Sequence, residues 1–268
     1  MLNKIKNYYR NLNTLKLIYG NELVGNFLSL KNTNRVADKP PVSGRVLVIA
    51  PHPDDELIGL GGTIKLHVKE KDQVKIVYIT DGSSGFPSNY RPTSREKREM
   101  ADKRELEARE GMDLIGVRDL VFLGYRDSKF TANESAGKYM FQLLQSFKPD
   151  IIYVPYFFDP NHDHQHTLKL MMQAIDQVKI NTKIAMYEVW EPLKANYFVC
   201  IDKVVSEKEN ALKVHKSQME SVNYLYAAMG LSAYRGAINE AGNYAEAFLI
   251  LDSDIASKLY KKLSRVIN

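Results

Sequence analysis

The chain has 268 residues, 44% of them apolar and 26% charged, with a formal net charge of +5 and one cysteine. That length and balance suit one large soluble α/β domain. The lone Cys200 excludes an internal disulfide and fits a reducing, cytoplasmic setting. No run of 18 apolar residues offers a membrane span, and the scattered basic residues, mixed densely with acids over 95–110, make a solvated face rather than a nucleic-acid surface.

Residues 1–30 carry Lys4, Lys6, Arg10 and Lys16 among apolar positions and read as an amphipathic helix. Core packing or an oligomer contact is its expected use; peripheral membrane contact is the alternative. The segment lacks the unbroken apolar core and cleavage site of a signal peptide. Segment 31–44, with Pro40, Pro41 and Gly44, reads as a linker. The expected organisation is an N-terminal helical extension and linker over 1–44 and a single domain over 45–268. Within it, strands are expected at 45–50, 74–80, 119–123, 150–155, 183–189, 197–202 and 246–251. Helices are expected at 57–70, 94–115, 135–147, 164–178, 205–220 and 254–266. This alternation predicts a Rossmann-like three-layer α/β sandwich with a mostly parallel sheet.

The first strand, Val46 to Ala50, stops at Pro51, and Pro53 keeps the backbone out of a helix. Between and after the prolines stand His52, Asp54 and Asp55; helical spacing resumes at Leu57, Ile58 and Leu60. A single Asp would read as a helix cap. Two carboxylates and an imidazole together call for a compensating cation. They also sit at the carboxyl end of a strand, where open α/β sheets place their sites.

The fourth expected strand runs into Phe158-Asp159-Pro160-Asn161-His162-Asp163-His164-Gln165-His166 and then a helix. Alone, this would pass for a solvated histidine loop. If both strands are parallel, however, both loops open on one sheet edge. Two imidazoles and a carboxylate with an open position make a catalytic zinc site, and a spare carboxylate can take a proton from water. Spacing alone leaves open which Asp binds the ion and which acts as base.

At these residues the chain resembles the PIG-L/LmbE-like family of zinc-dependent de-N-acetylases. The resemblance rests on Ala50-Pro51-His52-Pro53-Asp54-Asp55-Glu56 and on Asn161-His162-Asp163-His164. Weaker similarities lie at Thr80-Asp81-Gly82, Arg104 to Ala108, Leu123 to Asp127, Tyr187 to Trp190, His215 to Gln218 and Tyr244 to Phe248. It covers about residues 45–250. It implies one zinc per chain (another divalent transition metal being possible) held by His52, Asp55 and His164, with Asp54 as general base. It further implies Arg104 and Asp127 as contacts to the sugar of a small-molecule or glycoconjugate substrate. Otherwise Arg104 would be a surface charge and Asp127 a turn residue. The family's oxyanion histidine falls on Asn161 and its proline on His162, so either of these two is the candidate oxyanion partner. The resemblance permits a homo-oligomer.

Among the remaining candidates, His67, His166 and His215 are expected to be structural, Trp190 to fill the core or to stack on a sugar, and Asp81 to orient a ligand or close a turn. Segment 82–93 is a lid candidate or a plain exposed loop. Gly59-Leu60-Gly61-Gly62 does not have the dinucleotide-binding spacing. The alternative function is a sugar- or nucleotide-binding module that has lost turnover.

Overall fold

A computed structural model describes residues 35–87, 89–219 and 222–267; the expected helix of residues 1–30 lies outside them. Eight strands form one sheet: β1 (Arg35–Ala37), β2 (Arg45–Ala50), β3 (Gln73–Thr80), β4 (Asp119–Tyr125), β5 (Ile151–Pro155), β6 (Lys183–Tyr187), β7 (Tyr197–Cys200) and β8 (Ala245–Asp252). Their spatial order is β1-β7-β8-β6-β5-β2-β3-β4. Only β8 runs antiparallel to its neighbours, β6 and β7; the other pairings are parallel. The helices are α1 (Asp55–Lys69), α2 (Ser94–Ile115), α3 (Glu134–Phe147), α4 (His162–Val178), α5 (Val205–Leu212), α6 (Lys216–Met219), α7 (Tyr224–Ile238) and α8 (Ser253–Ile267).

The two-residue period of the strands divides the core into two layers. Leu47, Ile49, Val77 and Ile79 pack with α3, α4 and α8 through residues such as Met140, Leu168 and Leu259. Val46, Val48, Ile76 and Tyr78 turn to the other face, against Leu57 and Ile64 of α1 and Met112 of α2. Each fully buried aliphatic side chain contributes about 1.5–3 kcal/mol, so the alternation fixes which strand face meets which helices.

Helix ends follow their local chemistry. Thr93 and Glu96 form a capping box at the start of α2, and Gly116 ends it in the left-handed region at φ 99°, as sequence predicts for 94–115. Asn133 accepts the Ala136 amide at the start of α3.

Three elements differ from expectation. Arg35–Ala37, read as linker, pairs in parallel with β7. The helix expected over 205–220 is interrupted after Leu212, with a short turn of helix at Lys216–Met219. Helix α7 was not expected. It buries the small residues Ala228, Ser232 and Gly236 and leaves Tyr226 79%, Tyr234 55% and Ile238 65% exposed. Its apolar pattern is therefore inverted relative to an ordinary amphipathic helix.

Candidate metal centre and active site

From β2 the chain builds outward through β3 to β4, then returns to the other side of β2 with β5 and β6. The crevice at this reversal lies between β2 and β5, where doubly wound sheets bind ligands. Those strands pair directly, Val46 opposite Ile151 and Val48 opposite Tyr153. The loops leaving β2, β3, β4, β5 and β6 therefore open on one edge, and each supplies part of the site.

Three donor atoms converge there. His52 Nδ1 is 3.2 Å from His164 Nε2, and Asp55 Oδ2 is 3.1 Å from each of them. All three residues are buried. Burial penalises charge on all three. Yet the neighbouring carboxylates Asp127, Asp163 and Asp55 hold His52 well above the usual histidine range. Asp55 and Asp159 bring His164 to about 9. Interactions with His164 and His52 keep Asp55 well below the usual carboxylate range. A cation between these atoms satisfies the same field that otherwise draws protons.

The opposite ring nitrogens are committed elsewhere. His52 Nε2 is 3.3 Å from Asp163 Oδ2 and 3.4 Å from Asp127 Oδ1. His164 Nδ1 is 3.0 Å from Asp159 Oδ2, a contact of ion-pair length. With those nitrogens facing carboxylates, His52 Nδ1 and His164 Nε2 are left pointing at one another, a pair of donors that an ion between them would satisfy. Two imidazoles, one carboxylate and outer carboxylates that fix the tautomers are the donor set of a catalytic divalent site. The residues present fit such an ion. Asp127 and Asp163 also lie near one another beside His52, but their oxygens accept the Ser84, Ser128 and Phe130 amides. They brace His52 at Nε2.

Asp54 stands beside this centre with its backbone at φ 146°, ψ −25°. A non-glycine residue there is strained, and such strain persists only where the surroundings enforce it. Here Glu56 accepts the Asp54 amide at 3.1 Å, and the Asp54 carbonyl accepts the Leu57 and Ile58 amides at 3.0 Å. Arg104 is 4% exposed, which excludes the surface-charge reading. Its Nη2 lies 2.9 Å from Asp54 Oδ1 and donates to Pro53 O, while Nη1 donates to Gly82 O. A Cβ at Gly82, where φ is +65°, would come within 2.8 Å of the guanidinium, so only glycine fits the turn beneath it. Burial pushes the Asp54 carboxyl up to about 6 against the pull of Arg104.

Asn161 and His162 do not join the donor triangle. Asn161 Oδ1 caps α4, accepting the Asp163 amide at 2.8 Å and the His164 amide at 3.4 Å. The His162 side chain is 53% exposed, contacts Asp163 Oδ1 at 3.1 Å and packs its ring 4.4 Å from that of His166.

Asp81 Oδ1 accepts the Ser83 and Asp127 amides and shapes the turn. Ser84 N and Oγ bond Asp127, tying the start of segment 82–93 across the site. His67 bridges Asp72 and the Tyr153 hydroxyl. His166 accepts the Ala132 amide. His215 is buried with neither ring nitrogen partnered. Trp190, expected in the core, is 44% exposed because its chain leaves the sheet edge after Tyr187. The Gly59–Gly62 run serves packing: a Cβ at Gly59 would come within 2.5 Å of the Glu188 carbonyl. Sequence reasoning gave no role to Asp159, Asp163 or Glu56, since their task exists only once the loops have met.

Residues 47–175 match the family described as PIG-L, GlcNAc-PI de-N-acetylase. A probable N-acetyl-alpha-D-glucosaminyl L-malate deacetylase 2 of Bacillus subtilis is 30% identical over 197 residues, spanning 66% of this chain and 84% of the relative. Diacetylchitobiose deacetylase of Thermococcus kodakarensis is 28% identical over 194 residues, spanning 65% of this chain and 70% of that protein. Among solved structures, N,N'-diacetylchitobiose deacetylase from Pyrococcus horikoshii superposes with a TM-score of 0.69 at 27% identity, covering 79% of this chain and 85% of that one.

Proposed function

The chain belongs to the PIG-L family of de-N-acetylases, and on that premise we propose that it hydrolyses the acetamide of an N-acetylated amino sugar, an N-acetylglucosamine-type glycoside or conjugate. The single observation that carries this reading is the triangle of His52 Nδ1, Asp55 Oδ2 and His164 Nε2 beside the buried Asp54–Arg104 pair. We take the ion to be one zinc per chain, other divalent transition metals matching the same donors, and the setting to be the cytoplasm. No helix among the described residues is long and apolar enough to cross a membrane.

His52, Asp55 and His164 would hold a divalent ion there, which when bound would supply a Lewis acid for the carbonyl and lower the pKa of water to about 7. Asp54 takes the proton from the attacking water as its oxygen bonds to the acetyl carbon. The carboxylic acid so formed returns that proton to the nitrogen as the C–N bond breaks, releasing acetate and a free amine. Arg104 spends its Nη donors on Asp54, Pro53 and Gly82, which favours its holding the base alongside any contact to the sugar. Asp127 flanks the same side and is the carboxylate for a sugar hydroxyl. The oxyanion forming on the acetyl group takes a hydrogen bond from Asn161 or from His162. Asn161 keeps its Nδ2 donors while its oxygen caps α4; His162 reaches the site by leaving His166.

Metal analysis joined to an acetate-release screen over N-acetylglucosamine derivatives tests this reading. About one equivalent of divalent metal is expected in both wild type and Asp54→Asn, with acetate release slowed on the order of 10²–10⁴-fold in the variant. Equal release by both would remove Asp54 as base. Release by neither, with metal bound, would leave a sugar-binding module.

A further inference from the structure

We propose that Glu56 is a positioning residue for the base: by accepting the Asp54 amide it keeps Asp54 from capping its own helix and leaves that carboxylate turned toward the donor triangle. The proposal deepens the deacetylase reading and rests on it for the role of Asp54.

The other helices supply the comparison. Thr93, Asn133, Asn161 and Asn223 stand at the N-terminal caps of α2, α3, α4 and α7. Each has a negative φ, and each accepts an amide of the first turn with its side chain. Asp54 holds the same position on α1, but with φ at 146° and no side-chain cap. Aspartate is among the residues that cap best, and a helix start favours its charge. A capping Asp54 would relieve its backbone strain and gain an amide bond. It would also withdraw its carboxylate from Arg104 Nη2, which now lies 2.9 Å from Oδ1. Local chemistry alone thus favours the unproductive arrangement.

Glu56 reverses that preference. It is fully buried; Oε2 accepts the Asp54 amide at 3.1 Å and Oε1 accepts the Tyr78 hydroxyl at 2.9 Å. Tyr78 is itself fixed. It is buried, its ring stacks on Phe122 with centroids 4.5 Å apart at 14°, and its backbone pairs opposite Ala50, the last residue of β2. The carboxylate that holds the Asp54 amide is therefore anchored to β3 and not to the loop it shapes. Arg104 holds the other end of the same residue, through Oδ1. Tyr78 and Phe122 lie in the apolar layer that also contains Leu57 and Leu60, where a buried carboxylate is costly. An aliphatic side chain at position 56 would fill the space without that cost. The bland reading is that Glu56 merely satisfies the Tyr78 hydroxyl.

Three full-length variants separate these readings: Glu56→Gln, Tyr78→Phe, and Glu56→Leu combined with Tyr78→Phe. In Glu56→Gln the amide oxygen still accepts from Asp54 while the NH2 donates to the Tyr78 oxygen, so kcat should stay within about fivefold of wild type. Tyr78→Phe leaves the Asp54 amide partnered and should do the same. The double variant replaces both polar partners by apolar groups, which is nearly neutral for stability. It should keep the metal content, the urea midpoint and KM of wild type, yet lose about hundredfold in kcat, as expected for a catalytic group displaced by about 1 Å. Its crystal structure should show Asp54 at negative φ, with the carboxylate on an amide of the first turn of α1. Undiminished kcat in the double variant, or Asp54 still at positive φ, overturns the proposal. Loss of metal or of stability in that variant, or an equal loss of kcat in Glu56→Gln, also overturns it. Should the double variant fail to fold, Glu56→Ala takes its place with the same expectations for kcat, metal and Asp54. If wild type releases no acetate from any N-acetylglucosamine derivative, the deacetylase reading fails, and the position of Asp54 in the two crystal structures still decides the role of Glu56.

Discussion

Arg104 Nη2 lies 2.9 Å from Asp54 Oδ1, and the same guanidinium reaches the carbonyls of Pro53 and Gly82. One side chain from α2 thus ties the proposed base, the loop after β2 and the loop after β3 into a fixed arrangement. Arg104→Met removes that tie without touching a proposed metal ligand. Displacement of a catalytic group by about 1 Å costs on the order of 10² in rate, so kcat should fall by that order while the metal content per chain is unchanged. Loss of metal, or kcat within twofold of wild type, would contradict the assignment.

Asp159 acts on the other side of the centre. Its Oδ2 lies 3.0 Å from His164 Nδ1, and its Oδ1 accepts the Asn161 amide at 2.9 Å. Carboxylates behind metal-ligating histidines typically govern affinity by about 10–100-fold. Asp159→Asn should weaken metal binding within that range, measured by competition with a chromogenic chelator. Asp81→Asn, which alters only an acceptor of turn amides, should leave affinity within twofold. Equal behaviour of the two variants would reject the role given to Asp159.

How far these sites can be read from sequence depends on how local their causes are. The crowding of His52, Asp54 and Asp55 between and after prolines is a contiguous signal, and the Thr93–Glu96 capping box with Gly116 marks both ends of α2. The parallel loops after β2 and β5 follow from the alternation of strand and helix. Asp159 and Asp163 carry no local signal, because only the folded sheet edge brings them to His164 and His52. Helix α7 stayed hidden because it buries Ala228, Ser232 and Gly236. Its exposed tyrosines break the helical apolar pattern. Trp190 was expected in the core because nothing local says that the chain leaves the sheet edge after Tyr187.

The break in α1 offers a stability test. Leu60 is non-helical at φ −149°, ψ 22°, and Glu246 accepts the Gly62 and Thr63 amides just beyond it, at 2.9 and 2.7 Å. Lys208, fully buried, neutralises Glu246 at 2.7 Å and donates to Ile58 O at 3.0 Å. Removing one partner of a buried pair costs about 3–5 kcal/mol. Lys208→Met should therefore lower Tm by on the order of 10 °C, and adding Glu246→Gln should recover part of the loss. A single variant as stable as wild type would show that the pair is not coupled to the helix.

His215 predicts how stability varies with acidity. It is buried with no hydrogen-bond partner for either ring nitrogen; burial, reinforced by Arg104, lowers it to about 3. The unfolded chain titrates this group near the ordinary value of about 6.5. Between those limits the unfolded state binds the extra proton, so stability rises with pH there. The contribution of neutral His215 is fully present above about pH 6.5 and declines as the solution is acidified toward pH 3. From pH 7 to pH 5 the loss from this group amounts to about 2 kcal/mol. Replacing it with leucine removes the titration and two unpaired nitrogens. Urea unfolding of chelator-treated wild type and His215→Leu at both pH values isolates the effect, because the other histidines titrate alike in the two proteins. The stability difference should move by about 2 kcal/mol in favour of the variant at the lower pH; a difference independent of pH would mean that His215 is hydrated and ordinary in the folded chain.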